Sequence, residues 1–238
     1  KYNRNKKTTM FGVITINEDE FVAVTSWFNE LFGKYTIAVK KNISDLYRVV
    51  MRNSKDVDGF VEDYELNKTS YTVKVPEKIM QASAMEQCAF LRGLFQADGC
   101  VRVRIENGRN SGDIALVSIS EELIHGVQVL LLKLGIYSNV SECNDSRESR
   151  KKAYQLTIAY HSERVKFAST INFISKNKQE KLEKLNQIVD GKDKNNLSEE
   201  TVVSIDYIGE ENVYDIQTKS GKFCANGVVV HNCFIQGI

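Results

Sequence analysis

Between Val13 and Tyr160 the chain spells one pattern of hydrophobic and polar positions twice. Val13-Ile14-Thr15-Ile16-Asn17-Glu18-Asp19-Glu20 and Leu116-Val117-Ser118-Ile119-Ser120-Glu121-Glu122-Leu123 each read as a strand that ends in Asn or Ser, with acidic residues at the helix start that follows. Helices are predicted over 21–31, with Trp27 and Phe28, and over 123–134, with Val127, Leu130 and Leu131. Gly33 and Gly135 close them, as C′ glycines do. Further strands are predicted over 35–40 and 46–52 in the first copy, and over 137–140 and 154–160 in the second. Thr15 aligns with Ser118, an offset of 103 residues.

A further helix, Phe90 to Gly99, precedes the second copy. At the same offset its counterpart falls before Lys1, so the expectation is a chain truncated or naturally split just after that helix. Ala89, Gly93 and Ala97 fall at i, i+4 and i+8 and form a face of small residues that a second helix can approach closely. Leu91, Leu94 and Phe95 are expected to pack on the sheets. Gly99 ends the helix and leaves Asp98 at its C-terminus, where the helix dipole disfavours a carboxylate. A bound cation reverses the sign of that interaction; a solvated surface carboxylate is the equal alternative.

The C-terminal part has a different period. Val202 to Ile208 alternates like a strand, Gly209 to Asn212 reads as a turn, and Val213 to Thr218 as a second strand. Asn226-Gly227 is a strong hairpin signal, followed by the apolar run Val228 to Val230, expected to be buried. The polar stretch Asp190 to Ser198 is the best linker.

Val101-Arg102-Val103-Arg104-Ile105 alternates so that Arg102 and Arg104 share one face, Asn107-Gly108 turns the chain, and Arg109 lies near the tip. Such a ribbon fits a DNA major groove, where arginines read guanine edges. Arg147, Arg150, Lys151 and Lys152 form a second basic loop suited to phosphates. An ordinary charged sheet face explains each patch equally well. Composition narrows little else. Hydrophobic residues make up 42%, enough for a packed core, and the net charge of +1 means any nucleic-acid site is a local patch. No apolar run is long enough to cross a membrane and no secretory pattern is read. The five cysteines show no metal spacing, and an odd count fits a reducing, cytoplasmic interior.

His231-Asn232-Cys233 carries chemistry in three consecutive residues. The Asn232 amide nitrogen attacks its own carbonyl carbon, His231 is placed to protonate the leaving amine, and Cys233 is a thiolate nucleophile. Alone, the tripeptide is more economically a polar turn. With Val213-Tyr214-Asp215 and Phe223 to Val230 ahead of it, the segment resembles the C-terminal splicing motif of inteins. The resemblance implies that Asn232 is the last intein residue, that Cys233 to Ile238 begins the C-extein, that His231 assists Asn cyclisation, that Cys233 is the transesterification nucleophile, and that Asp215 couples the two ends of the reaction. Many inteins carry another histidine just before the position of Phe223; here Ser220-Gly221-Lys222 stands in its place.

Leu91 to Gly99, LRGLFQADG, resembles the second signature motif of LAGLIDADG homing endonucleases, and Val73-Lys74-Val75-Pro76 and the repeat also fit that family. The resemblance implies an α+β fold: a pseudo-twofold αββαββα endonuclease domain, its first motif helix missing, followed by the C-terminal strands of an all-β Hint splicing domain. It gives Asp98 a metal-binding role with Mg2+, and Lys74 a catalytic one; Gln96 replaces a more usual acidic residue. The offset maps Lys74 between Lys176 and Lys178. Splicing itself implies no cofactor. The organisation expected is an endonuclease-like domain over 1–189, a linker over 190–200, a splicing segment over 201–232 and extein over 233–238. The partners implied are a complementary N-terminal intein fragment, an extein host protein and double-stranded DNA, with no membrane. A DNA endonuclease whose splicing activity is vestigial, and an interaction module with neither activity, are the alternatives.

Overall fold

The structure, a computed structural model, describes residues 10–33, 36–41, 46–52, 55–106, 109–143, 152–188, 201–212, 216–225 and 228–231. The chain divides into two units, Lys1–Lys192 and Asp193–Ile238.

The larger unit holds both copies of the repeat. The first runs β1 (Met10–Thr15), α1 (Glu18–Phe32), β2 (Thr36–Lys41), β3 (Leu46–Arg52) and α2 (Lys55–Asp63). After α3 (Glu77–Met80) come α4 (Ala84–Asp98) and β4 (Gly99–Glu106). The second copy follows as β5 (Arg109–Ser118), α5 (Glu121–Lys133), β6 (Asn139–Cys143), β7 (Ala153–Ile158) and α6 (His161–Thr170), and α7 (Lys176–Asn186) ends the unit. The sheets are antiparallel, ordered β1-β3-β2 and β4-β5-β7-β6. Without β4, the second sheet has the strand order of the first, so the repeat is one of topology as well as pattern. Among the described residues α4 and β4 have no counterpart in the first copy.

Local chemistry sets the boundaries. Ser120 caps α5 by accepting from the Leu123 N–H at 3.2 Å. Asn17, the equivalent residue before α1, makes no cap; its side-chain amide donates to Glu20 instead. Helix α4 opens on a capping box: Ser83 Oγ accepts from the Glu86 N–H, and the Glu86 carboxylate accepts from the Ser83 N–H at 2.9 Å. Gly135, at φ +73°, supplies the left-handed residue that closes α5. Gly99 has ordinary extended φ and is required for space, because a Cβ there would meet the Phe95 carbonyl oxygen at 2.6 Å.

Each copy has its own core. Leu91 and Phe95 of α4 pack on Ile114, Leu116, Leu156 and Ile158 of the sheet and on α5 to α7. The first copy gathers Val24, Phe28, Phe32, Val49, Met51, Val57 and Val61. Arg164 is fully buried and ties the second core together, donating to the carbonyls of Gly112, Ala159 and Ile188.

In the smaller unit β8 (Lys222–Ala225) and β9 (Val228–His231) pair as a hairpin with a two-residue connection, as the Asn226-Gly227 signal predicts. The strand expected over 202–208 is not formed. Residues 201–212 carry no regular structure, and Val203 and Ile205 are 96% and 90% exposed. Alternation alone does not make a strand; it needs a pairing strand and a surface for its apolar face, and residues 202–208 pair with no strand among the described residues. The strand expected over 213–218 falls partly on residues 213–215, which lie outside the described residues. Val230 is half-buried.

Candidate active site

Helix α4 delivers Asp98 as its last residue, exposed, and among the described residues the carboxylate makes no hydrogen bond or ion pair. Its oxygens are therefore open to a ligand. Beside it, the Lys178 ammonium of α7 donates to the carbonyls of Phe95, Gln96 and Gly99, at 3.2, 2.7 and 2.7 Å. Burial pushes the Lys178 amine below its ordinary range, against the pull of the nearby Glu20, Cys100 and Asp98. Of the two lysines to which the repeat offset points, Lys178 is the one that reaches this helix end.

Gln96 knits the copies together. Its amide donates to Glu20 of α1 and to Ser175 Oγ, and its carbonyl accepts from the N–H groups of Ile174 and Ser175. The Lys176 N–H donates to Asp19. Glu20 was not among the residues expected at this site, since its role comes from a contact 76 residues away in sequence.

Alongside α4 runs an open groove of about 1140 Å3. One wall is Phe90, Gly93, Leu94 and Ala97 of α4, and the other is formed by β1 and α1 with Ile14, Trp27 and Leu31. Ile14 and Leu31 are 64% and 61% exposed, an unusual amount for large apolar side chains gathered on one surface.

The other expected residues are scattered. Lys74 is held by Glu65 at 3.4 Å and makes no contact with Asp98. Arg102 and Arg104 lie on the sheet face that no helix covers, both drawn to Asp113. Lys152 pairs with Glu142 and sits over the Tyr154 ring, on the helix-covered side and away from the arginines, because Glu142 lies opposite Tyr154 in the ladder. Arg109 is in β5, with its side chain outside the described residues, as is all of Lys151. His231 is exposed at the end of β9, opposite Lys222. Asp215, Asn232 and Cys233 lie outside the described residues. The described residues contain no group of three His, Cys, Asp or Glu side chains that would hold a metal. Among the described residues, Asp98 therefore offers a single carboxylate, short of a complete metal site.

Residues 85–172 match the LAGLIDADG-like domain family, and the larger unit has a LAGLIDADG-type homing endonuclease fold. Among solved structures it resembles the homing endonuclease I-WcaI bound to its DNA recognition sequence, with a TM-score of 0.50 and 13% identity, covering 76% of this chain and 78% of that one. By sequence, 177 residues are 32% identical to a probable translation initiation factor IF-2 of Methanocaldococcus jannaschii, over 72% of this chain and 14% of the relative. A further 201-residue match, 29% identical, is to the ribonucleoside-diphosphate reductase NrdEB subunit alpha of Bacillus subtilis, over 76% of this chain and 18% of the relative. The chain thus spans under a fifth of the length of either relative.

Proposed function

We propose that this chain is the C-terminal part of an intein carrying a LAGLIDADG homing endonuclease domain, acting with a complementary N-terminal fragment. The observation that carries the splicing reading is the hairpin β8–β9, which ends on His231 immediately before Asn232-Cys233. A paired strand limits the conformations of the residue that follows it, and succinimide closure depends on such restriction. The relatives support the reading. A translation factor and a reductase subunit share no activity, yet each contains a stretch like this one amounting to less than a fifth of its length. A mobile insertion has that distribution.

In the reaction the Cys233 thiolate takes an acyl group from an upstream ester or thioester. The Asn232 amide nitrogen then bonds to the Asn232 carbonyl carbon, the bond to the Cys233 nitrogen breaks, and His231 supplies the proton to the departing amine. The amine of Cys233 finally captures the acyl group as a peptide bond. No cofactor is needed. On this reading 1–189 is the endonuclease domain, 190–200 the linker, 201–232 the splicing segment and 233–238 extein, with Asp215 coupling the two ends.

The endonuclease half acts on double-stranded DNA. Asp98 would hold Mg2+ together with an acidic group from a second motif helix, and a bound ion there would supply charge stabilisation for phosphodiester hydrolysis. The groove beside Gly93 and Ala97 is the seat we assign to that helix, supplied by the N-terminal fragment. Lys74 and Lys178 are the basic candidates, and Arg102, Arg104 and Arg109 the DNA contacts. Lys151 stands as a secondary phosphate contact; Lys152, held by Glu142 off the arginine face, does not share that surface. No helix of the described residues is long and apolar enough to cross a membrane.

The test is to mix the chain with an N-terminal fragment and look for ligated extein by mass spectrometry. Folded protein that yields neither ligation nor cleavage after Asn232 sinks the splicing reading. DNA nicking that survives in that case favours an endonuclease with a vestigial tail.

A further inference from the structure

The face of the four-stranded sheet that no helix covers carries an acid where a DNA-binding surface is least expected to hold one. Asp113 of β5 lies directly opposite Arg102 of β4 in the ladder, and Arg104 is two residues along on the same face. Arg102 Nε donates to Asp113 Oδ1 at 2.5 Å, and an Arg104 guanidinium nitrogen lies 3.5 Å from Asp113 Oδ2. The other arm of Arg102 donates to Gln155 Oε1 of β7 at 3.0 Å, and the Gln155 amide donates to Thr157 Oγ1 at 3.1 Å. The Asp113 side chain is 8% exposed, that of Arg102 28% and that of Arg104 50%. The carboxylate is thus the floor of the patch and the guanidiniums its surface.

We propose that Asp113 is a positioning residue for DNA reading: it fixes Arg102 and Arg104 as one pre-aimed pair, selective for guanine at the base pairs beneath β4. The proposal rests on the DNA reading given above. A carboxylate on such a face repels phosphate, so it weakens general DNA binding. What it supplies is order. An arginine side chain has many rotamers, and a carboxylate that engages two of them from one side leaves their remaining donors pointing outward. Guanine presents two acceptors, O6 and N7, that match a fixed guanidinium; a mobile arginine meets phosphates as readily as bases.

Affinity and selectivity should therefore respond in opposite directions. Binding-site selection from a randomised duplex library is run with the full chain and with Asp113→Asn and Asp113→Ala, with circular dichroism confirming folding. The expected result is a guanine preference about tenfold weaker at one or two positions, with affinity for arbitrary duplex equal or higher and a steeper salt dependence. Arg104→Ala should lose preference at the same positions. A purely structural Asp113 would change stability without moving base preference. Should Asp113→Ala fail to fold, Asp113→Asn, which keeps the shape, decides. Folded variants with the wild-type preference overturn the proposal alone. A wild-type chain that binds no duplex overturns both it and the DNA reading beneath it.

Discussion

The Lys178 ammonium lies 2.7 Å from the Gln96 carbonyl oxygen, at the end of the helix that presents Asp98. Carbonyls at a helix C-terminus attract a cation, yet desolvation outweighs them and lowers the Lys178 affinity for its proton. Its folded pKa is below the unfolded value near 10.5, so in the window just under 10.5 the unfolded chain binds more protons and stability rises with pH. Tyrosines also titrate in this range, so the readout is a difference. Urea midpoints between pH 8 and roughly 10.5 should rise less in Lys178→Met than in the wild type. Parallel curves for the two proteins would show that Lys178 keeps an ordinary proton affinity.

Asp98→Asn tests the metal half-site. The exposed carboxylate contributes no hydrogen bond among the described residues, so the fold should tolerate the change. With the N-terminal fragment and Mg2+ present, DNA cleavage should fall by about a hundredfold or more. Binding of the same duplex, measured by anisotropy in Ca2+, should stay within about twofold, or tighten as one negative charge leaves the phosphate surface. Equal cleavage by variant and wild type removes Asp98 from the site.

Those two residues differ in how far the sequence discloses them. Asp98 is legible because the small-residue face and Gly99 locate a helix end. The repeat is legible for a similar reason: periodicity and turn residues are local properties, and β5-β7-β6 reproduces β1-β3-β2 from them. Gln96 looked like a neutral replacement, and only the meeting of α4 with Ile174 and Ser175, 78 and 79 residues on, makes it a buried connector. Lys152 belongs to a basic run in sequence, but Glu142 claims it and turns it from the arginine face. Val202 to Ile208 shows the opposite failure, a strand-like alternation with nothing described to pair it.

Gly93 offers a test of the groove. A Cβ there meets nothing within 4 Å, so a side chain can start from Gly93 into the groove without a clash at the Cβ. Replacing a helix-interior glycine by Phe should leave stability unchanged or raise it by a few tenths of a kcal/mol, and Gly93→Ala by about 0.5–1 kcal/mol. The new ring would occupy the seat of the second motif helix. Co-elution with the N-terminal fragment should be lost, and Gly93→Ala should retain it. Normal assembly of Gly93→Phe would place that helix elsewhere.

Arg164 lies outside the candidate site and should matter most to stability. It is fully buried, and its donors satisfy carbonyls from β5, from the chain before α6 and from the segment after α7. Arg164→Met keeps much of the volume but strips those carbonyls of their donors. The expected cost is about 3 kcal/mol or more, read as a lower urea midpoint. Lys166→Met, on the exposed side of the same helix, should change stability by under about 1 kcal/mol.

Lys222 faces His231 across the β8–β9 ladder, on the residue next to Asn232. Cross-strand neighbours have Cβ atoms about 5 Å apart, close enough for two imidazoles to act on one peptide group. Many inteins carry a histidine in the stretch that here reads Ser220-Gly221-Lys222, where the Thr218 and Ser220 hydroxyls instead contact the Lys222 carbonyl. Lys222→His should therefore speed cleavage after Asn232, by about tenfold if the second imidazole reaches the scissile group. His231→Ala should slow it by about a hundredfold or more, and Asn232→Ala should stop it while still allowing acyl transfer to Cys233, so that the branched intermediate accumulates. Cys233→Ala should show the converse, cleavage without ligation. Mass spectrometry of the four reactions separates these species by chain mass. Unchanged cleavage in both Lys222→His and His231→Ala would mean that the hairpin holds Asn232 without supplying its acid.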